Sequence, residues 1–332
     1  MDPRISLALR ARRGQFVLRE QLASALGLSP AAVADALGAL ARHGFVIETH
    51  PMQGVRLSAV PPALLAAELA WDAARRRVGR IVRCEATVAS TNDLAWEAAR
   101  KTGQDSDGLA IFAEYQTAGR GRRGNRWLAP PHEAILCSVV LRAADAAADG
   151  AVLTRAAALA AAEAIEDQTG LEVGIKWPND VVCDDRKVGG ILVEARPGAP
   201  GAGFVVVGIG INCHQGPRAF PPDIRGHVTS LAMLGPTVDR TLLARSLLDR
   251  LDRRAAQTAR EDGAGEVRQD AARRCRTLGR RITVLEGEDA YSGEVIDLDV
   301  DYGLILRLSD GGFRRFHAMT TRVAAPKDES GG

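Results

Sequence analysis

Apolar and polar positions repeat with two periods along this chain, and the changes of period divide it into three segments. From about Gln15 to Val60 the spacing is helical and then strand-like. Glu20 to Leu26 suits a short helix and Gly27-Leu28 a turn. Ser29-Pro30 then offers an N-cap and a proline at the first helical position, with Val33, Leu37 and Leu40 following along one inward face. After Gly44, the runs FVIETH and GVRLSAV predict a hairpin turning at Pro51 to Gly54. Helix, turn, helix and hairpin together predict a winged helix-turn-helix over residues 1–62.

Pro61-Pro62 begins a linker, and residues 63–80 predict a polar-faced helix around Leu64 to Arg80. The second segment, 81–275, alternates strand-like runs (IVRCEATV, LAIFAEY, AILCSVVL, GGILVEAR, GFVVVGIGIN) with helical ones. Leu153 to Gln168 is an alanine-rich helix, and Thr241 to Arg260 an amphipathic one with a charged face. Strands outnumber helices, so a mixed sheet with helices on one face is expected. In the third segment, 276–326, the runs RITVLEG, YSGEVIDLDV, GLILRLS and FRRFHAM are short strands between Gly and Asp turns. They predict a small SH3-like barrel, and residues 327–332 a disordered tail. The expected class is α+β, with a winged helix, a central mixed sheet and a terminal barrel.

Length and composition fit this division. A chain of 332 residues suits two or three domains, and 46% apolar with 25% charged residues describes a globular protein. A net charge of +2 gives no global attraction to nucleic acid. Residues 1–62 carry seven arginines against four acids, mostly ahead of the helix pair. The five cysteines show no C-x-x-C spacing and read as buried apolar groups in a reducing compartment. Six histidines form no metal-binding cluster, so no protein-built zinc site is expected. No apolar run reaches the roughly 20 residues of a membrane span, and the N-terminus lacks a signal-peptide core. A cytoplasmic protein without a membrane partner is expected.

The candidate chemistry lies at the ends of apolar runs. Gln116 to Trp127 reads QTAGRGRRGNRW, with three glycines for close backbone approach and four arginines for phosphate or carboxylate. Gly119, Gly121 and Gly124 satisfy G-x-G-x-x-G, but a dinucleotide loop must open a helix, and here Pro130-Pro131 and a strand follow. The chain has no H-R-D or D-F-G, and the loop lacks the Lys-Ser/Thr ending of a Walker A motif. An anion-holding loop and a solvated basic turn both remain. Ser90-Thr91-Asn92 offers neutral donors and acceptors, or equally a helix cap. Lys176-Trp177-Pro178-Asn179-Asp180, Lys187 before Gly189-Gly190, and Gly208-Ile-Gly210-Ile-Asn212 complete the set.

In this order and spacing, STN, EYQTAGRGRRGNRW, KWPNDV, RKVGGILVE and GIGIN resemble the biotin protein ligase family. The flanking segments resemble its three-domain branch, some members of which also repress the biotin operon. The resemblance implies that biotin and ATP give biotinyl-5′-adenylate and pyrophosphate. The biotinyl group then passes to a lysine of a carrier domain, as in the biotin carboxyl carrier protein of acetyl-CoA carboxylase. It places biotin against Ser90, Thr91, Asn92 and Gln116, beneath a loop with Arg120, Gly121 and Arg122. Lys187 falls near the carboxylate and α-phosphate, with Lys187, Arg122 and Arg120 as catalytic groups. Trp127, Lys176, Asn179, Asp180 and Asn212 fall on the nucleotide side, and Mg²⁺ is expected with ATP without a secure protein metal site.

For a repressor, operator DNA would meet Ser29, Ala31 and Arg42, and a homodimer would form through sheet edges. Two departures stand out: the helix Pro30 to Arg42 is alanine-rich, and FHAMTTRV occupies a place where relatives often carry Gly-Glu. A DNA-binding operon repressor as the main role, and a lipoate-type ligase on the related fold, are the alternative readings.

Overall fold

In the computed structural model the described residues are 1–73, 76–142, 150–195, 203–299, 303–318 and 320–324. The Asp2 carboxylate accepts from Arg4 N at 2.9 Å and starts α1 (Pro3–Arg10), a helix the apolar spacing had not revealed. Next come α2 (Arg19–Leu26) and α3 (Pro30–Arg42), the latter capped by Ser29 Oγ on Ala32 N at 3.1 Å. β1 (Val46–His50) and β2 (Gly54–Ala59) form the antiparallel hairpin. Ile5, Leu9, Leu22, Val33, Leu40, Phe45 and Leu57 make one core for this unit.

The expected linker helix shrinks to α4 (Ala66–Leu69), while Ala74 and Arg75 lie outside the described residues. Pro61-Pro62 denies two backbone donors just before it, and the segment is instead fixed by charge. Arg10 donates through Nε and Nη2 to both oxygens of Glu68, at 2.8 and 2.9 Å, and through Nη1 to Asp239 at 2.7 Å. Asp239 in turn caps a later helix. Arg240 beside it donates to Glu114 at 2.7 Å and to the carbonyls of Pro62, His132 and Ala134.

The central unit contains β3 (Val82–Val88), α5 (Thr91–Thr102), β4 (Ala110–Gln116), β5 (Ala134–Arg142) and α6 (Gly150–Thr169). It continues with β6 (Gly174–Lys176), β7 (Asp180–Cys183), β8 (Arg186–Ala195), β9 (Phe204–Asn212), α7 (Arg240–Thr258) and α8 (Gly263–Arg273). Among the described residues these strands make a seven-stranded sheet ordered β3-β4-β5-β9-β8-β7-β6. β3 and β4 run parallel and every other pair antiparallel.

Both faces are covered, not one. Ile111, Val140 and Val206 point to Ala95, Trp96 and Ala99 of α5, while Ala110, Phe112, Val139 and Val207 point the other way into the core under α6 and α7. Successive strand residues face opposite sides, so long apolar runs such as AILCSVVL are what a doubly covered sheet requires. In α6, Ala156 to Ala162 are buried almost all round, small enough to let the sheet, α7 and α8 close on one helix.

The last unit is an antiparallel sheet of β10 (Arg281–Glu286), β11 (Asp289–Leu298), β12 (Leu304–Leu308), β13 (Phe313–Phe316) and the further short strand β14 (Thr321–Val323). Its order is β13-β12-β11-β10-β14. Its core of Val284, Val295, Leu304, Leu306 and Phe316 also takes in Trp177 from the central unit. The expected tail, 327–332, lies outside the described residues. No single helix among the described residues is long and apolar enough to cross a membrane.

Candidate active site

One cleft gathers the polar clusters. Its wall comprises the start of α5 (Ser90, Thr91, Asn92), the end of β4 (Gln116), the arginine loop, the start of β7 with Asn179, and Lys187, Gly190, Ile191 and Leu192 of β8. Gly208 to Gly210 of β9 complete it.

The arginine loop folds back on itself. Gly121 N donates to Asn125 O at 2.7 Å and Trp127 N to Gly119 O at 3.0 Å, and the turn passes through Arg123 at φ 56° and Gly124 at φ 77°. Trp127 is thereby laid across β9, where a Cβ on Gly210 would stand 2.5 Å from the indole. Only glycine permits this approach. The indole Nε1 is buried and has no hydrogen-bond partner among the described residues, a donor whose desolvation an acceptor on a ligand would offset.

One end of the cleft is neutral. Gln116 Oε1 accepts from Thr91 N at 2.8 Å and from Thr91 Oγ1 at 3.0 Å. Ser138 Oγ lies 2.7 Å from Thr91 Oγ1 and 2.5 Å from Asn92 Oδ1. The alternative of a Ser90 side-chain cap is not realised: its side chain makes no capping bond to α5.

The other end is charged. Lys187 Nζ lies 2.6 Å from Asp180 Oδ1 and 5.6 Å from the centre of the Trp127 ring. Arg122 Nη1 reaches Asn179 Oδ1 at 3.5 Å, and Nη2 donates to Ala318 O of the last unit, so the loop is tied to both neighbours. Arg120 donates to Asp93 at 2.6 Å and to Glu194 at 3.0 Å. Burial pulls its guanidinium pKa down, but Asp93 and Glu194 outweigh this and leave it above its ordinary value, so the charge is held.

Two of the residues expected on the nucleotide side are elsewhere. Lys176 is exposed on the outermost strand β6 and is not part of the cleft wall. Asn212 is buried, donating to Thr229 O and accepting from Gln215, both at 2.9 Å, and braces a loop. A strand-end asparagine was a weak signal because it suits a turn brace equally well. Ser29, Ala31 and Arg42 sit in the first unit: Ser29 is spent as a cap, and Ala31 and Arg42 are exposed. Conversely, Ser138, Asp93 and Glu194 belong at the site or beside it and were not singled out, while Asn125 and Arg126 had been read only as part of the arginine loop. A lone hydroxyl inside AILCSVVL was the available clue to Ser138.

Cys137 also lines the cleft, with its thiol enclosed. Burial pushes its pKa far up, those of Cys84 and Cys213 up to about 12, that of Cys183 up to about 11, and that of Cys275 up as well. The thiolate is the nucleophile, and raising the pKa removes it at neutral pH. Iodoacetamide at pH 8 is therefore expected to label Cys137 of the native protein at least about 100-fold more slowly than Cys137 of the urea-unfolded chain, read by mass spectrometry. Rapid labelling of native Cys137 would contradict the enclosed cleft floor.

A central mixed sheet with this cleft on it defines a class: the profile of the biotin/lipoate A/B protein ligase family matches residues 85–212, and the chain belongs to that family. Its relatives are more particular. It is 37% identical over 222 residues to the biotin–[acetyl-CoA-carboxylase] ligase of Mycobacterium tuberculosis, covering 64% of this chain and 78% of that one. It is 30% identical over 295 residues to the bifunctional ligase/repressor BirA of Salmonella typhimurium, covering 88% and 89%. Among solved structures, the biotin protein ligase from Aquifex aeolicus in complex with biotin and ATP superposes with a TM-score of 0.63 at 25% identity, covering 74% of this chain and 99% of that one.

Proposed function

We propose that this protein is a biotin protein ligase, activating biotin with ATP and transferring it to a lysine of a biotin carboxyl carrier domain. The observation that carries the reading is a single cleft with a neutral hydrogen-bonding end and a cationic end. Thr91, Asn92, Gln116 and Ser90 hold the uncharged ureido head. The valerate carboxylate then points to Lys187 and the arginine loop.

In the first step a biotin carboxylate oxygen attacks the α-phosphorus of ATP, the bond to the bridging oxygen breaks, and pyrophosphate leaves. Two anions must meet, so fixed cations offset their repulsion and the charge gathering on the phosphoryl oxygens. Lys187, Arg120 and Arg122 supply those cations, and Lys187 acts as a clamp without forming a covalent bond. Gly121 lets the loop backbone come close to the adenylate, and Trp127 offers a face to adenine. In the second step the carrier lysine's amine attacks the acyl carbon, an amide forms and AMP leaves.

Asp180 and Asn179 are the cleft's oxygen donors suited to a hard cation such as Mg²⁺, which would offset phosphate charge while phosphates and water complete its shell. The described residues hold no group of three His, Cys, Asp or Glu side chains placed to bind a metal ion, and a nucleotide-borne ion needs none.

The chain divides into a winged helix at 1–62, a linker at 63–80, the catalytic unit at 81–275 and an SH3-like unit at 276–326. The hairpin after α3 and the five-stranded antiparallel sheet support this reading. The exposed positions of α3 include Ala31, Ala34, Asp35, Gly38 and Ala41, and Arg42 is its sole cation. Such a face has little reach to base edges, so operator binding stands second to ligation. The outer strands β3 and β6 are the places where a homodimer would extend the sheet. The five free cysteines suit the cytoplasm.

Biotin is expected to drive exchange of labelled pyrophosphate into ATP, and lipoate to neither support nor inhibit it at matched concentration. Exchange driven by lipoate instead would reassign the substrate.

A further inference from the structure

Glu194, near the end of β8, reaches two parts of the cleft at once. Its Oε2 accepts from Asn92 Nδ2 at 2.7 Å, and its two oxygens accept from Arg120 Nη2 at 3.2 and 3.0 Å. One carboxylate therefore holds a side chain of the neutral pocket and the root of the arginine loop.

Its chemistry dictates how Asn92 must lie. An ionised carboxylate only accepts hydrogen bonds, so Asn92 turns its NH₂ toward Glu194 and its carbonyl oxygen the other way. An amide's orientation is ordinarily ambiguous, but an acceptor-only partner settles it. Asn92 Oδ1 then faces Ser138 Oγ at 2.5 Å and stands against β9, where a Cβ on Gly208 would be 2.4 Å away.

Counting protons shows the result. Three contacts, Thr91 Oγ1 to Gln116 Oε1, Ser138 Oγ to Thr91 Oγ1 and Ser138 Oγ to Asn92 Oδ1, share only the two hydroxyl hydrogens of Thr91 and Ser138. Within this cluster, the Ser90 hydroxyl and Gln116 Nε2 apart, acceptor positions outnumber hydrogens. A head group that brings N–H supplies what is missing, and one that brings only acceptors adds to the excess.

We infer that Glu194 is a specificity-determining positioning residue, which fixes the Asn92 amide so that the neutral end of the cleft selects a head group presenting N–H, as a cyclic urea does. The ligand's name rests on the biotin reading above, whereas the polarity of the pocket rests on Glu194. Without the carboxylate, Asn92 is free to turn its NH₂ toward the cleft, and the selection weakens.

The test is calorimetric titration, without ATP, of the wild type and of E194Q with two ligands: biotin, and its cyclic carbamate analogue in which one ureido N–H is replaced by oxygen. The wild type is expected to bind biotin about 100-fold more tightly than the carbamate, because the analogue leaves buried acceptors facing an acceptor. In E194Q, biotin binding is expected to weaken about tenfold and the preference to fall below about tenfold. E194A, measured in the same way, carries the test should E194Q fail to fold. If both variants bind biotin with wild-type affinity and preference, the role of Glu194 is overturned. A wild type that binds no biotin would instead overturn the proposed function.

Discussion

Replacing Lys187 by alanine is expected to slow formation of biotinyl-5′-adenylate by about 100-fold, measured as single-turnover release of pyrophosphate. The size follows from what the lysine does at rest. Its Nζ is 2.6 Å from Asp180 Oδ1 and sits beside Trp127, so it neutralises a carboxylate in a cleft that must accept two more anions. Removing it takes away one fixed cation and exposes the reactants to Asp180. Biotin binding without ATP should change far less than the rate, since the neutral end of the cleft is built from other residues. A K187A protein with wild-type turnover would remove the lysine from the mechanism.

The second large effect is on stability. Arg10→Ala is expected to destabilise the protein by about 3–5 kcal/mol, the range found when one partner of a buried ion pair is removed, read from urea unfolding. Arg10 and Glu68 have side chains no more than 2% exposed, and Asp239 is also the N-cap of α7, accepting from Thr241 N and Leu242 N. Loss of the guanidinium leaves Glu68 and Asp239 without their ion-pair partner at the junction of the first unit with the catalytic one. Burial opposes the charge on Arg10, but Glu68 and Asp239 outweigh it and raise its pKa further, so the arginine stays protonated across the accessible pH range. A change below about 1 kcal/mol would show that the junction does not depend on this network.

How much of this could be read beforehand differs by element. Helices with strong local signals were legible: Ser29-Pro30 starts α3, and the alanine-rich run is α6. In α1 the cap is Asp2 and the buried apolar residues are only Ile5 and Leu9, in a run crowded with arginines, so periodicity alone was a poor guide. Leu64 to Arg80 carried a helical pattern, but Arg10, Arg240 and Glu114 hold that stretch through tertiary bonds, and distant partners leave no local trace. The same limit explains the site. STN, the arginine loop, Lys187 and Asp180 meet in one cleft, and each lies in a distinctive local string. Glu194 and Ser138 matter through partners 102 and 46 residues away along the chain, so nothing beside them announced a role. Trp177 was conspicuous for another reason: it fills the core of the last unit.

The most direct test of the central claim is to incubate the purified protein with ATP, Mg²⁺, biotin and an isolated biotin carboxyl carrier domain, and to weigh the carrier by mass spectrometry. The account predicts a single biotinyl addition at the carrier's acceptor lysine, dependent on ATP and abolished when that lysine is replaced by arginine. An unmodified carrier in the presence of active, folded protein and all three reactants would contradict it.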